Sequence, residues 1–333
     1  MKKILVYIVV LLPFLSCADN TGSLPEQDDA FPTIIFDTDI CSSTDDLIAL
    51  RALYNYMDEG KCKLIGVIVD REGERNAACA DIFNTFYGYP DIPIGLVKEG
   101  IENATVWNDY SGITEWKDRD GNVLFSRTVE DYSSLPDGHI LYEQLLSSAP
   151  DKSVSIVSVG FVTALAQLLE SETGRQLVAD KVKALYMMGA KFVPGDGDYN
   201  FSQGPEFAQT FFRLFPDETP IYFSPSEVGE NIYYSSDMVL ADMRNASCNP
   251  LEEIYLRSAP DETQKMWDVL AAIHAVEGDG LFTLSEWGDV TIDEKGCTTF
   301  MPSSSGNCRY QMPGDEDWNI RMLEKIRDIV RNS

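Results

Sequence analysis

The chain has 333 residues, 44% of them hydrophobic and 11% aromatic, which is enough apolar material for one large globular domain with a full core. Its 54 acidic and 26 basic side chains give a formal net charge of −28. A field of that sign repels phosphate backbones, so it argues against nucleic acid as a partner and favours neutral small molecules and divalent cations.

The first 17 residues have the pattern of a lipoprotein signal peptide. Two lysines precede an apolar run over residues 4–15, which is too short to span a bilayer comfortably. A serine then precedes Cys17, as in a relaxed lipobox, so Cys17 is the predicted lipidated N-terminus; an ordinary cleaved signal is the alternative. Residues 18–31 are polar and predict a tether, with the folded domain over 32–333. This pattern predicts an exported protein anchored by its lipid to a bacterial membrane.

Short apolar strands alternate with amphipathic helical patterns along the domain. The predicted strands cover 33–36, 64–69, 92–96, 154–159, 183–188 and 221–223, and the predicted helices begin at Asp45 or cover 76–87 and 162–170. The alternation predicts a mostly parallel, Rossmann-like α/β sheet with helices on both faces, whose ligands bind at the carboxyl ends of the strands. Segments 99–137 and 277–318 are predicted as loop insertions, the second with room for a small hairpin.

Four carboxylates stand within ten residues where the first predicted strand ends. They are Asp37, Asp39, Asp45 and Asp46, at a strand–loop–helix junction. Like charges packed this closely repel, so the arrangement is costly unless a cation neutralises it, and Ca²⁺ accepts several oxygen ligands. Capping of the helix by Asp45 explains one carboxylate but leaves Asp37 and Asp39 unexplained.

Five sequence blocks, in order over residues 33–275, resemble the inosine–uridine nucleoside hydrolase family. The first is Asp37-Thr38-Asp39 followed by Asp45-Asp46, with the longer loop of a lipoprotein-type branch of that family. The other blocks are Ser158 to Leu165, Met187 to Ala190, Asp198 to Ala208 and Trp267 to Ala271. The resemblance implies a Rossmann-like enzyme that hydrolyses an N-glycosidic bond of a ribonucleoside or related riboside and uses Ca²⁺.

The resemblance also implies a role for each matching residue. Asp39 matches the general base, which also contacts the metal, and the remaining ligands match Asp46, Asp268 and the backbone carbonyl of Val159. Asp45 matches the contact to a ribose hydroxyl. The contacts to the far sugar hydroxyls match Asp198 and Asn200. In the implied chemistry, carboxylates stabilise an oxocarbenium-like state while a water activated by Asp39 attacks C1′.

The match is incomplete at several substrate positions. Cys41 stands at the family's loop glycine, which predicts a changed loop path, and Ser43 replaces the longer branch's extra aspartate. Trp267 replaces the family's histidine and is predicted to contact the substrate. Asp198 is shorter than the family's glutamate, and residues 70–74 lack its Gly-Asn pair. The metal ligands therefore match better than the substrate contacts, which leaves other N- or O-ribosyl compounds open.

Two other functions compete with hydrolysis of a riboside. An Asp-x-Asp motif after a strand is also found in haloacid-dehalogenase-like phosphatases, but Cys41 stands where they have Thr or Val. The other alternative is a lipoprotein that binds a sugar or nucleoside without cleaving it. The retained Asp39 argues against this, since a pure binder needs no water-activating base. Relatives often form oligomers, so a homo-oligomer is an open expectation.

The remaining cysteines, histidines and aromatic residues give weaker signals. Disulfides are permitted in an exported protein, and Cys297 and Cys308 flank a Ser/Gly-rich loop and are a candidate pair, although spacing does not fix connectivity. His139 and His274 are predicted to be structural. Candidates for lining a base or sugar pocket are Trp107, Tyr110, Trp116 and Trp267.

Overall fold

A nine-stranded sheet runs through the domain, within residues 31–101, 104–193, 197–243 and 248–331, which the computed structural model describes. The strands are β1 (Thr33–Thr38), β2 (Lys63–Val69), β3 (Ile94–Leu96), β4 (Val154–Ser158), β5 (Val182–Met188), β6 (Ile221–Ser224), β7 (Tyr233–Ser235), β8 (Thr263–Lys265), β9 (Gly288–Ile292), β10 (Thr298–Pro302) and β11 (Cys308–Tyr310). The order in the sheet is β10-β9-β11-β6-β5-β4-β1-β2-β3, while β7 and β8 form a separate antiparallel pair. Predicted features before residue 31, Cys17 included, lie outside the described residues.

Helices cover both faces of the central sheet. They are α1 (Asp45–Asp58), α2 (Glu74–Phe86), α3 (Gly138–Ser148), α4 (Thr163–Glu170), α5 (Glu172–Lys181), α6 (Tyr199–Ser202), α7 (Pro205–Leu214), α8 (Ser226–Gly229), α9 (Ser236–Met243), α10 (Pro250–Arg257), α11 (Asp268–Glu277) and α12 (Glu316–Arg331). Because side chains alternate along a strand, β1 feeds two cores: Ile34 and Phe36 pack on one face and Ile35 on the other. In the described ranges, no helix is both long and apolar enough to cross a membrane.

The predicted mostly parallel sheet is confirmed. Strands β3, β2, β1, β4, β5, β6 and β11 pair in parallel, each with its neighbours in that order. All the predicted strands and helices are present with small shifts of their ends. The helix predicted at 76–87 covers Glu74–Phe86, and the strand predicted at 92–96 begins only at Ile94, after a proline without a backbone N–H. The described part of segment 99–137 is irregular apart from two 3₁₀ turns and an isolated bridge between Lys117 and Val123, as predicted for a loop region.

The segment 277–318 differs from the prediction of a loop insertion. It contains the predicted hairpin, β9 and β10, but this hairpin and β11 extend the central sheet beyond β6. The candidate disulfide is also wrong, because Cys297 and Cys308 are both free thiols. Strand β9 lies between β10, which Cys297 immediately precedes, and β11, which contains Cys308, so the sheet order itself separates the two thiols.

Candidate active site

A pocket with an empty volume of about 450 Å³ lies at the carboxyl ends of β1, β4 and β5. The loop after β1, the residue after β4 and the start of α11 each contribute polar groups to it. Its lining consists of Asp39, Ser42, Ser43, Asp45, Asp46, Trp107, Val159, Met188, Asp198, Tyr199, Asn200, Ser226, Trp267 and Asp268. Every predicted catalytic, substrate-binding and metal-ligating residue within the described ranges therefore lines one pocket, where the strand-end rule places a ligand.

Gly160 allows the loops after β1 and β4 to approach each other. A Cβ atom at Gly160 would lie 2.3 Å from the backbone nitrogen of Asp39 and 2.7 Å from the carbonyl carbon of Thr38. No side chain fits in that space, so glycine permits the backbone of Val159 to reach the pocket that Asp39 lines.

Cys41 takes the left-handed backbone conformation, with a φ of 78°. The phenol oxygen of Tyr110 accepts a hydrogen bond from the Cys41 nitrogen at 2.9 Å and donates one to the Ser43 carbonyl at 2.8 Å. This bracing offsets the cost of about 1–2 kcal/mol that a side chain incurs in this conformation. Cys41 therefore takes the positive φ that glycine favours, and a loop path that differs from the family's stays a prediction.

Three carboxylates in the pocket converge closely enough to hold one cation. Oxygen atoms of Asp45, Asp46 and Asp268 all lie within 4.8 Å of one another, and all three residues are buried. Asp39 is also buried and lines the same pocket, as does Val159. We call Asp39, Asp45, Asp46 and Asp268 the carboxylate cluster. The structure thus brings the four predicted ligands into one pocket and adds Asp45, which was predicted to contact the sugar.

Burial and mutual repulsion disfavour the ionised forms of the carboxylate cluster. Burial raises the pKa of Asp39 to about 7 and that of Asp45 to about 6, while the Arg71 guanidinium acts to lower the pKa of Asp39. Burial and the neighbouring carboxylates hold the pKa values of Asp46 and Asp268 well above the usual range. A donor set made only of oxygen, with this much uncompensated negative charge, fits a hard divalent cation.

The members of the cluster differ in how the protein holds them. The Thr38 hydroxyl donates to Asp46, and the Ser43 hydroxyl donates to Asp45, which also accepts a hydrogen bond from the Gln264 amide at 3.0 Å. No side chain in the described ranges donates to the carboxylates of Asp39 or Asp268. Asp37 is the one aspartate of the segment 37–46 that does not line the pocket. Its carboxylate accepts a hydrogen bond from the Tyr142 hydroxyl at 2.7 Å.

The two residues predicted to bind the far sugar hydroxyls, Asp198 and Asn200, also line the pocket. Asp198 caps α6 by accepting from the Asn200 nitrogen at 2.9 Å and also accepts from the Ser226 hydroxyl. The Asn200 amide donates to the carbonyls of Val159 at 2.9 Å and Met188 at 3.2 Å. A carbonyl oxygen has two lone pairs, so this bond leaves one on Val159 available for a cation.

Aromatic rings form one wall of the pocket. Trp107 is 55% exposed, and its ring centroid lies 4.7 Å from that of Tyr199 and 6.1 Å from that of Trp267. The Trp267 indole is fixed by donating to the Ser226 carbonyl at 3.0 Å. The two other aromatic candidates, Tyr110 and Trp116, do not line the pocket. The wall therefore offers apolar ring faces beside the polar cluster.

The two histidines lie outside the pocket, in agreement with their predicted structural roles. His274 is fully buried beneath the sheet's aromatic residues and bonds to Asp279 at 3.0 Å and Gln311 at 3.1 Å. His139 bonds to Asp137, which precedes α3. Neither ring is placed to protonate a leaving group in the pocket.

Sequence reasoning missed several residues that shape the site. Tyr199 and Met188 stood inside the quoted sequence blocks, so their place in the pocket was within reach of the pattern. Gln264 and Ser226 lie outside every block, on a three-residue strand and a four-residue helix, and nothing in the local sequence marks them. Such contacts depend on how distant segments meet.

Comparison with solved structures shows the fold. The similar structures include an inosine–guanosine nucleoside hydrolase, with a TM-score of 0.70 and 17% identity over 91% of this chain and 99% of that one. A purine-preferring ribonucleoside hydrolase from Gardnerella vaginalis has a TM-score of 0.66 and 15% identity, over 90% and 100%. The type III effector XopQ, complexed with adenosine diphosphate ribose, has a TM-score of 0.67 and 14% identity, over 90% and 94%.

Sequence comparison identifies the family. A search of curated proteins finds no match. A family model described as inosine–uridine preferring nucleoside hydrolase matches residues 34–326, which include every pocket residue named above. The chain belongs to the inosine–uridine preferring nucleoside hydrolase family, and it is a hydrolase acting on N-glycosyl bonds.

Proposed function

We propose that this hydrolase cleaves the N-glycosidic bond of a ribonucleoside, or a closely related riboside, in a Ca²⁺-dependent reaction. The observation that carries the proposal is that four buried aspartates line one pocket, three of them with oxygen atoms within 4.8 Å of one another. Val159 lines the same pocket, and its carbonyl accepts a hydrogen bond from the pocket residue Asn200. Asp39, Asp46, Asp268 and that carbonyl would hold the ion. When bound, Ca²⁺ supplies positive charge that orients water and sugar hydroxyls and makes the water more acidic.

The protein's own groups then have distinct tasks. Asp39 accepts the proton of the attacking water. A carboxylate beside the ion has a low pKa, but the transfer remains feasible because the water next to the ion is itself more acidic. Asp45, Asp198 and Asn200 hold the sugar hydroxyls and fix C1′ in the path of that water. As the bond between C1′ and the nucleobase loosens, its electrons move to the nucleobase and positive charge develops on the sugar ring. The surrounding carboxylates stabilise that charge in a pocket where little water screens it.

The aromatic wall supports a substrate with a planar leaving group. Trp107 and Trp267 present ring faces next to the carboxylate cluster, and a nucleobase stacked there gains van der Waals and quadrupole attraction. A simple sugar bound at the carboxylate cluster would have no planar leaving group to stack on these rings. We therefore favour a nucleoside over a simple glycoside as the substrate class.

The alternatives from the sequence have less support. The family match spans the whole aspartate segment, and Asp45 and Asp46, which the phosphatase motif leaves unexplained, line the pocket beside Asp39. A non-catalytic binding protein would use the aromatic wall and the sugar contacts equally well. Only turnover separates this alternative from an enzyme.

The test is to incubate the chain lacking its first 19 residues with a panel of purine and pyrimidine ribonucleosides and to assay released reducing sugar. Sugar release that requires Ca²⁺ and stops with a chelator supports the proposal and names the preferred base. Stoichiometric nucleoside binding without sugar release, for every member of the panel, would instead make the chain a binding protein.

We also propose that the chain is exported and lipid-anchored through Cys17, as a member of the longer-loop branch. The support is the basic start, the apolar run and the cysteine that follows a serine. Labelling cells with a fatty-acid analogue should mark the wild-type protein and leave Cys17→Ala unmarked and unprocessed. Labelling that persists in Cys17→Ala would refute the anchor.

A further inference from the structure

Gln264 is a buried amide on β8 that reaches the active-site loop. The two N–H groups of its side-chain nitrogen are shared among three acceptors: an Asp45 oxygen at 3.0 Å, the Ser43 hydroxyl at 2.9 Å and the Lys265 carbonyl at 3.1 Å. Its side-chain oxygen accepts from the Thr44 hydroxyl at 3.5 Å. Only 5% of Gln264 is exposed, so these contacts are made away from solvent. The separate sheet of β7 and β8 thus contacts the loop between β1 and α1 through Gln264.

These contacts make Asp45 the most fully engaged member of the carboxylate cluster. One Asp45 oxygen accepts from Ser43 and Gln264, and the other accepts from the backbone nitrogen of Asp268 at 3.4 Å. Asp46, in contrast, accepts from Thr38 on a single oxygen. A carboxylate has about four acceptor positions, so Asp45 keeps room for roughly one more donor, whereas Asp46 has a whole oxygen free.

The chemistry of the amide suits this task. An amide donates hydrogen bonds without adding charge, so it can hold the Asp45 side chain in place without competing with a cation for the other carboxylates. An acid at the same position would place another negative charge beside the cluster. An apolar side chain would leave the Asp45 oxygen without one of its donors.

Building on the proposed function, we propose that Gln264 is a positioning residue that reserves Asp45 for a sugar hydroxyl and keeps it out of the metal's coordination. An oxygen atom of Asp45 lies within 4.8 Å of oxygen atoms of Asp46 and Asp268, so geometry alone would allow Asp45 to bind the same ion. The hydrogen bonds from Ser43 and Gln264 occupy the lone pairs of one Asp45 oxygen, so the ion is left to the other carboxylates.

The test compares Gln264→Met with Thr38→Val. Each substitution roughly keeps the shape of the native side chain and removes a hydrogen-bond donor, to Asp45 in the first case and to Asp46 in the second. Tb³⁺ luminescence reports metal affinity, and steady-state kinetics with Ca²⁺ report KM. Loss of such a supporting donor typically costs 10- to 100-fold, so Gln264→Met should raise KM by about that factor with unchanged Tb³⁺ affinity. Thr38→Val should weaken Tb³⁺ binding by about that factor instead.

A second variant, Gln264→Glu, keeps the shape of the side chain and should raise KM further, because it adds a charge beside Asp45. The proposal is overturned if Gln264→Met leaves KM unchanged, or if it weakens Tb³⁺ binding as much as Thr38→Val does. A melting curve establishes that each variant is folded. A wild-type protein that binds Tb³⁺ but neither binds nor cleaves any riboside would overturn the proposed function and this proposal together; failure in the variants alone overturns only this one.

Discussion

At the scale of single residues, the site is dominated by buried negative charge. Each member of the carboxylate cluster loses hydration on folding and also repels its neighbours, which raises its pKa. The metal-free fold therefore carries an electrostatic cost that a bound cation relieves. Substitutions within the cluster should affect stability and metal binding in opposite directions.

Asp268→Asn tests this directly. The neutral amide removes one repelling charge, so we expect the metal-free variant to be more stable than the wild type by about 1–3 kcal/mol. The same change removes a ligand, so Ca²⁺ should raise its melting temperature far less. Thermal melts of both proteins, with Ca²⁺ and with chelator, measure the two effects. An undiminished Ca²⁺ shift in Asp268→Asn would contradict the assignment of Asp268 as a ligand.

Trp107→Ala tests the aromatic wall. Base–aromatic stacking is worth about 1–3 kcal/mol, so the KM for a nucleoside should rise by roughly 5- to 100-fold. Trp107 is more than half exposed, so the melting temperature and Tb³⁺ affinity should stay as in the wild type. Trp287→Ala, which removes another partly exposed tryptophan away from the pocket, is the matched control. Equal KM values in both variants would count against stacking on Trp107.

The sequence supports prediction of site residues unevenly at this scale. Asp39, Asp45 and Asp46 could be found because carboxylates crowded next to one strand repel each other unless they bind a cation. Gln264 could not be found, because its role depends on a strand more than 200 residues away in sequence reaching the loop, as the contact with Ser43 shows. Local patterns reveal residues whose chemistry is costly alone, and not those that support them.

At the scale of elements, the site depends on how closely two strand-end loops approach. The loops after β1 and β4 meet at Gly160, and this contact brings Val159 into the pocket with Asp39. The fold supplies the meeting point, since β1 and β4 are adjacent parallel strands. A single added carbon atom at this contact has to move the backbone that carries the proposed general base.

Gly160→Ala is expected to damage both activity and stability. The added Cβ would meet backbone atoms rather than a mobile side chain, so we expect a loss of about 1–3 kcal/mol in the free energy of unfolding and a clear fall in Tb³⁺ affinity. Gly280→Ala is the control, because a Cβ there meets no atom within 4 Å. Denaturant unfolding and Tb³⁺ titration provide the measurements. A Gly160→Ala protein as stable as Gly280→Ala would contradict the close approach.

Sequence patterns predicted the buried elements better than the edge of the sheet. Strands such as β1 and β4 are almost fully buried and rich in β-branched and aromatic apolar residues, so their composition marks them. The edge hairpin of β9 and β10 is short and largely exposed, and its Thr- and Asp-containing sequence gives little apolar signal. The prediction of an inserted loop at 277–318 failed for that reason.

At the scale of the whole molecule, metal binding and folding are linked. An ion that binds only the folded state stabilises it in proportion to the logarithm of its concentration over the Kd. The strong net charge of −28 adds long-range attraction for cations and repulsion for polyanions. The protein should therefore be more stable with Ca²⁺, and the stability of its metal-free form should depend more strongly on pH than that of the Ca²⁺-bound form.

The pH dependence of the metal-free protein follows from the raised pKa values. Burial raises the pKa of Asp39 to about 7 and the pKa values of Asp45 and Asp198 to about 6. A carboxyl whose pKa is higher in the folded state favours folding at low pH, and this contribution is lost as the pH rises through the folded value. In chelator, the melting temperature should therefore fall between about pH 4, near the unfolded pKa values, and about pH 7, the highest of these folded values.

Saturating Ca²⁺ should flatten that decline, because the ion keeps its ligands ionised throughout. Burial lowers the pKa of His274, which opposes the trend at the acidic end, but this residue lies outside the pocket and contributes equally with and without metal. The difference between the two melting curves thus isolates the cluster. Parallel curves in Ca²⁺ and chelator would rule out a cation at the cluster.

The most direct test of the central claim is the release of free base and reducing sugar from a ribonucleoside by the wild type and by Asp39→Asn, each with saturating Ca²⁺. We predict that the wild type releases nucleobase and sugar in equal amounts. Asp39→Asn should lose at least about 10²-fold in kcat, because the variant lacks the carboxylate that accepts the water's proton. Nucleoside binding should persist in the variant. Equal turnover by both proteins, or no turnover by the wild type on any ribonucleoside, would contradict the account.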